Sequence, residues 1–491
     1  MDTIVITVGN ELAALPVLQA AIMAYLGIVG AGDRFSRRVE VVIDEVFTNI
    51  LEHNYLPGQH ERVHLTIGIQ NGFLALTMRF KGIPIDVDYL REFAENESQG
   101  MIANGGRGIG LHLIRNFVDR IEYKNLGRDG QEICIYLEIP TDNQSSIKSN
   151  VSEKPCKQDS EPLKVSLRRM LPSEAATVSK LAYLAYDYSY LYEHIYDPQK
   201  VRELNENDKL ISFVAVTEKN EIIGHFALSR DDRSELLEMC SGFTDPGFRG
   251  SGSMNAMAAH GIEQAQKLGA GGVYVIAVTT HPYSQKAALN HGLKETALFV
   301  SCVQAFALRA IQEDSLRRES FLFMLFMFKN QSRGPYYCPA QHRSMIERIC
   351  RHAGLEAAFT EQHSEAPLRE LGDLDILKDN YHQKGHVFIN SYGHDTLSQV
   401  QRCLRLWQLD RLEVIYLYLP LSQPSTAIFC QSFEEMGFFF SGIRPERPGR
   451  DWLVLQFLNN RRYAYDQLKA ATDFGRELIE YVRDKDPARS I

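Results

Sequence analysis

The sequence predicts an α/β protein of the α+β kind, divided among several domains, and three observations lead there. At 491 residues the chain exceeds what one hydrophobic core can fill, so two to four domains of roughly 100–200 residues are expected. Runs that alternate apolar and polar residues repeatedly exchange places with runs of helical spacing. Two glycine-rich strings, one in the first quarter and one just past mid-chain, each lead into an amphipathic helix.

Composition narrows the class. The apolar fraction is 44%, enough for those cores, and the formal charge is −9 without a long basic run. Neither nucleic acid nor an anionic membrane is therefore expected as the main partner. Eight dispersed cysteines form no close C-x-x-C pair, which fits a reducing cytoplasm. Met1 to Val8 alternates like a strand and lacks the features of a signal peptide. The most apolar stretch, Phe321 to Phe328, is far shorter than the ~20 residues of a membrane-spanning helix. A cytoplasmic protein is expected.

In order, residues 1–140 read as a strand (Thr3–Gly9), helices (Leu12–Leu26 and Ser36–His53), hairpin strands (Arg62–Gln70 and Phe73–Phe80), a helix, a glycine-rich loop, a helix (Ile109–Arg120) and two closing strands. Residues 141–164 are polar and poor in large apolar side chains, as in a flexible linker. Residues 165–310 read as helical Ser173–Tyr192 followed by strands Ile211–Thr217, Ile222–Ser229 and Glu235–Phe243. A helix to Leu268, the buried strand Gly272–Val278, another helix and a strand near Leu298–Gln304 complete this part. In residues 311–491, strand Val387–Ser391, helix Leu397–Trp407, strand Leu412–Tyr418, helix Ser425–Met436 and strands Phe438–Ile443 and Trp452–Phe457 repeat the latter half of that order. A divergent internal duplication is the simplest account.

The helix Glu40–His53 places Ile43, Val46, Phe47, Ile50 and Leu51 on one arc and Glu45, Thr48, Asn49, Glu52 and His53 on the other. Glu45 and Asn49, one turn apart, would suit a base and a Mg²⁺ ligand; the competing reading is a solvated helix face. Gly105, Gly106, Gly108 and Gly110 then precede a helix, where bare amides meet phosphate, though no Gly-Lys-Ser/Thr follows as in a Walker A loop. Together with Gly82-Ile83-Pro84-Ile85-Asp86, these strings resemble the GHKL ATPases, above all the anti-sigma-factor serine kinases. The resemblance implies an α/β sandwich in which Glu45 is the general base, Asn49 holds Mg²⁺, and Gly82 and the four loop glycines surround ATP. It also implies a sigma factor or its antagonist as partner, and a homodimer. One position departs: Phe80 stands where the family places its adenine-binding Asp.

Past mid-chain, a strand ending at Phe243 runs into Gly247-Phe248-Arg249-Gly250-Ser251-Gly252-Ser253 and then a helix. Small residues let successive N–H groups converge on a pyrophosphate at a helix N-terminus; an ordinary strand-to-helix turn is the competing reading. In its surroundings the string resembles the Arg-x-x-Gly-x-Gly/Ala signature of GNAT acetyltransferases, with Arg249 and Gly252 matching. The resemblance implies a central GNAT fold. Acetyl-CoA, or another acyl-CoA, would be held by Phe243, Arg249, Gly250, Ser251, Gly252 and Ser253. The acceptor would be an amine or a protein lysine. Met254 occupies the final Gly/Ala position and Ala288 replaces the usual Tyr acid. Glu238 and His281 are the candidate bases.

The C-terminal third looks like the end of a second GNAT unit without its phosphate turn, since Tyr392-Gly393-His394-Asp395-Thr396 holds one glycine. Its histidines lack metal-site spacing. Three functional readings follow: an N-acetyltransferase joined to an ATP-binding regulatory module, a serine kinase with a GNAT sensor, and a non-catalytic ligand-sensing scaffold.

Overall fold

The computed structural model describes residues 3–70, 72–84, 117–139, 165–231, 234–248, 253–303, 318–329, 331–360, 368–459 and 463–490. Alternating sequence builds the N-terminal sheet: β1 (Ile4–Gly9), β2 (Arg62–Gln70), β3 (Phe73–Phe80), β4 (Arg120–Asn125) and β5 (Gln131–Glu138). They lie antiparallel in the order β1-β2-β3-β5-β4. Helices α1 (Leu15–Ile28) and α2 (Asp33–Asn54) share its core. The α2 arc of Ile43, Val46, Phe47 and Ile50 is buried with Val63, Leu65, Leu76 and Met78, as helical periodicity requires. The expected linker 141–164 lies outside the described residues.

The rest of the chain shares one sheet of twelve strands. Its first half comprises β6 (Val165–Arg169), α3 (Ala175–Tyr186), α4 (Pro198–Glu206), β7 (Leu210–Thr217), β8 (Ile222–Arg230) and β9 (Leu236–Thr244). It continues with α5 (Ser253–Lys267), β10 (Gly272–Val278), α6 (Tyr283–Asn290), β11 (Lys294–Val303) and β12 (Glu319–Met327). A short parallel pair, β13 (Arg333–Tyr336) and β14 (Ala357–Phe359), flanks α7 (Arg343–His352). Then come β15 (Asp373–Asp379), β16 (Lys384–Ser391), α8 (Thr396–Leu409), β17 (Val414–Pro420), α9 (Ser425–Glu435), β18 (Phe439–Arg444), β19 (Trp452–Leu458) and α10 (Asp473–Lys485).

The strand order is β15-β16-β17-β19-β18-β11-β12-β10-β9-β8-β7-β6. The run β15-β16-β17-β19-β18 thus repeats β8-β9-β10-β12-β11, and the halves meet where β11 pairs antiparallel with β18 at Ala297 and Gly442. Gly442 has φ 140°, and a Cβ there would lie 2.3 Å from the Thr296 carbonyl oxygen. Only glycine lets the two backbones approach so closely. Nearby, buried Arg333 pairs with Asp451, whose second oxygen accepts from the Tyr336 hydroxyl at 2.6 Å.

Three elements differ from expectation. The helix expected to reach Tyr192 stops at Tyr186, because Asp187 adopts φ 55° and breaks the ladder. An unforeseen α4 follows, capped by Asp197, which accepts from the Gln199 and Lys200 amides, with Pro198 in its first turn. The apolar run at Phe321 is the buried strand β12, inserted between β10 and β11, so the central half of the sheet extends past residue 310.

Candidate functional site

β9 and β10 are parallel neighbours, yet they pair only at Gly272 with Leu236, Val273 with Leu237 and Tyr274 with Glu238. Beyond that register the two strands no longer pair, and the stretch where they part is the β9–β10 opening. Glu238 stands at its foot. The Tyr192 hydroxyl donates to one of its carboxylate oxygens and the Tyr274 hydroxyl lies 3.4 Å from the other. Burial raises the Glu238 pKa, against the opposing pull of Tyr192, Arg444, Tyr274 and Lys384. A carboxyl so placed holds a proton more readily than an exposed one, which suits a group that must accept one.

Higher in the opening, β9 carries a bulge, where the register with β8 shifts between His225 and Ala227. Ser241 at the bulge has φ 50°, and its N–H donates to the Tyr190 hydroxyl at 2.8 Å. Its carbonyl accepts from His225 Nδ1 at 2.8 Å, so that nitrogen carries the proton. Burial lowers the His225 pKa to about 4 and keeps the ring neutral. Tyr190 and Tyr192 both come from the irregular strap 187–197 between α3 and α4.

The other predicted residues distribute as follows. Phe243 is buried, stacked on His225 at 5.0 Å, so only its backbone can face a ligand. Ser253 opens α5, with its hydroxyl 3.3 Å from that of Thr244. Arg249, Gly250, Ser251 and Gly252 lie outside the described residues. The Met254 sulfur sits over Gly242 of β9, and Ala288 is buried in α6. His281 follows the end of β10 and packs on Tyr283 at 5.1 Å. Glu238 pairs with Tyr274 of β10, about 13 Å along the strand from Val278 at ~3.3 Å per residue, and His281 follows beyond that strand end, so the two candidate bases come from opposite ends of this stretch.

In the N-terminal domain, Asn49 and Glu45 are neighbours as expected: the Asn49 amide donates to the Glu45 carbonyl at 2.7 Å and lies 3.2 Å from its carboxylate. Phe80 belongs to the core beside Tyr55, with ring centroids 6.3 Å apart, so its position offers no acceptor to a base. Gly82 has a packing reason of its own. A Cβ there would lie 2.3 Å from the Asn54 carbonyl oxygen, which accepts from the Ile83 amide at 2.7 Å. Gly105, Gly106, Gly108 and Gly110 lie outside the described residues.

In the C-terminal half the corresponding parallel strands stay paired for longer. β16 and β17 pair continuously from Lys384 with Val414 to Phe388 with Tyr418, and the last two rings stack at 4.1 Å. A concavity of about 630 Å³ lies where these two strands end, lined by Asn390 of β16 and Pro420 of β17 together with Glu235, Gln423 and Arg450. Among the described residues, His342, Cys430 and Glu434 group within 4.8 Å, but both His342 ring nitrogens are engaged, by Tyr481 and Glu434. The described cysteines are all free, and no described helix is long and apolar enough to cross a membrane.

Tyr190, Tyr192, Tyr274 and His225 are the site residues that sequence reasoning missed. The tyrosines at 183, 186, 188, 190 and 192 were the available signal, since alternation at the last four does not fit a helix.

Residues 8–137 match the model described as a histidine kinase-like ATPase domain, and residues 178–292 match the acetyltransferase (GNAT) family. Among solved structures, the chain resembles spermidine N-acetyltransferase from Vibrio cholerae in complex with CoA and spermine. The identity is 15%, covering 33% of this chain and 95% of that one, with a TM-score of 0.28. It also resembles the IAA acetyltransferase from Bacillus cereus, at 14% identity over 34% and 100% of the two chains with a TM-score of 0.25. A third is ribosomal-protein-S5-alanine acetyltransferase from Vibrio fischeri, at 13% identity over 35% and 97% with a TM-score of 0.27. No curated protein matches the chain.

Proposed function

Because one chain carries a histidine kinase-like ATPase domain and a GNAT acetyltransferase domain, we propose that it transfers an acyl group from acyl-CoA to an amine in the β9–β10 opening, under a nucleotide-binding module. The observation that carries this reading is the divergence of the two strands just past Glu238 and Tyr274, with a proton-avid carboxylate at its foot. The amine nitrogen attacks the thioester carbonyl carbon; its bond to carbon forms as the carbon–sulfur bond breaks. Glu238 takes the nitrogen's proton, and a backbone N–H of the opening stabilises the developing oxyanion. The thiolate leaves and takes its proton from water, Ala288 standing where the family's Tyr acid would be. Arg249, Gly250, Ser251, Gly252 and Ser253 hold the pyrophosphate with backbone amides.

The C-terminal half reads as a degenerate GNAT-like unit whose parallel strands stay paired as far as the stacked Phe388 and Tyr418 rings. In the N-terminal module, Asn49 would hold Mg²⁺ and Glu45 would orient the group that attacks the nucleotide, while Phe80 weakens adenine recognition.

The test is thiol release from acetyl-CoA by the full chain against alkylamines, polyamines and lysine peptides. Turnover with one of these classes is expected, and Gly252→Trp is expected to abolish it by filling the pyrophosphate turn. Equal turnover in that variant refutes the site.

A further inference from the structure

The strap 187–197 that lines the cleft is also where the N-terminal domain docks. The Gln59 amide donates to the Tyr183 hydroxyl at 2.6 Å, just ahead of the strap. The Gly82 carbonyl accepts from the Tyr188 hydroxyl at 2.6 Å. Asn125 donates to the Tyr196 carbonyl at 2.9 Å, and the Arg128 amide donates to the Glu193 carboxylate at 3.2 Å. The Arg128 side chain reaches furthest. It is 6% exposed, and its Nη2 donates to the Tyr190 carbonyl at 2.5 Å and the Leu191 carbonyl at 2.6 Å. Its guanidinium covers the Tyr381 ring at 3.8 Å. From the C-terminal half, His382 Nε2 lies 3.3 Å from the same Leu191 carbonyl. One carbonyl thus meets donors from both flanking units, and on either side of it Tyr190 reaches the Ser241 amide and Tyr192 reaches Glu238.

We infer that Arg128, a residue of the ATPase domain, is a positioning residue for acyl transfer. By holding two consecutive strap carbonyls it fixes the hydroxyls of Tyr190 and Tyr192 at the bulge and at Glu238. The inference rests on reading the β9–β10 opening as the transfer site. A buried guanidinium whose Nη2 donates to both carbonyls suits this task because its geometry is rigid, whereas a lysine ammonium supplies only a point charge.

The groups that face Glu238 are Tyr190 and Tyr192 from the strap, Cys240 from β9, Tyr274 from β10, Arg444 from β18 and Lys384 from β16. Loosening the strap removes the Tyr192 hydrogen bond and leaves Tyr274, Arg444 and Lys384 in place. Because that hydrogen bond favours the ionised carboxyl, its loss lets burial raise the proton affinity further. The acid limb of the pH–rate profile then moves to higher pH.

The experiment uses the full chain with acetyl-CoA and the best amine from the panel. Arg128→Ala is expected to lower kcat about 10-fold or more, a typical penalty for lost positioning, with KM for acetyl-CoA essentially unchanged and the acid limb shifted upward. Arg128→Lys should recover part of the loss. Tyr192→Phe, which removes one oxygen and leaves Arg128 in place, should reproduce the pH shift. Hydrogen exchange supplies a readout independent of turnover: strap amides should exchange at least about 10-fold faster in Arg128→Ala, while β9 and β10 keep their protection. A folded Arg128→Ala protein with native kcat and an unmoved acid limb, or with an unchanged strap, overturns the inference and leaves the cleft assignment standing. Absence of transfer to any amine by the native chain overturns the cleft assignment, and this inference with it.

Discussion

Replacing Glu238 by Gln removes a base while preserving shape, since the amide oxygen still accepts from the Tyr192 hydroxyl and the amide nitrogen takes the place of the oxygen that faces Tyr274. The size of the effect follows from what the base must do. An alkylamine with a pKa near that of lysine, about 10.4, is unprotonated in roughly one molecule of 2,500 at pH 7, a deficit of about 4.6 kcal/mol. A positioned general base typically recovers 10²–10⁴-fold of such a deficit, about 2.7–5.4 kcal/mol. We therefore expect kcat to fall at least about 100-fold, with KM for acetyl-CoA within twofold because the pyrophosphate turn is untouched. In the native protein kcat falls as pH drops through the Glu238 pKa, because a protonated carboxyl cannot accept a proton. Burial places that limb above the ordinary carboxylate range. The Gln variant loses the limb. Its folded stability should not suffer, because a carboxyl with a raised folded pKa contributes favourably only at low pH and loses that contribution as pH rises through the folded value. Thiol-release kinetics across pH, with a thermal melt of each protein, measure both. A variant of native melting temperature that keeps native kcat and the same acid limb refutes the base assignment.

Four further outcomes are expected. Asp451→Ala strands buried Arg333 and the Tyr336 hydroxyl, so a loss of about 3–5 kcal/mol should appear in denaturant unfolding; a loss under about 1 kcal/mol contradicts the burial argument. Gly442→Val puts a side chain against the Thr296 carbonyl and should destabilise the sheet by at least about 1–3 kcal/mol, seen as a lower melting temperature; an unchanged melt would mean that the seam is open. Burial raises the Glu132 pKa, but hydrogen bonds from Arg79 and Lys124 outweigh it and bring the group down to about 2. This depressed carboxyl stabilises the fold above its unfolded value and loses that effect as pH falls toward the folded one, so Glu132→Gln should flatten the acid limb of stability against pH. Asn49→Ala should abolish Mg-nucleotide binding in calorimetry, and undiminished affinity removes Asn49 from the nucleotide reading.

Legibility followed periodicity. β2, β3 and β10 were readable at their bounds because strict alternation or a short apolar run admits one interpretation. The helix pairing of Glu45 with Asn49 was readable from spacing alone. The opening at Glu238 was not, because a strand's sequence does not record where its pairing with a distant neighbour ends. The strap was misread as helix although its alternating tyrosines do not fit one, and the break is a single aspartate in a left-handed conformation. Arg128 was invisible for a further reason. Its partners are backbone carbonyls some sixty residues away, and carbonyls carry no residue identity.

The junction of β11 and β18 has one more consequence. These strands hold the same place in their respective halves and meet antiparallel, and like strands so paired are related by a local two-fold axis. The seam therefore has the geometry of a homodimer interface contained within one chain. In a true homodimer each substitution appears on both sides of the axis at once. Here each side inherits its own changes, which is how one half can release its parallel strands after three paired positions while the other holds its own through five.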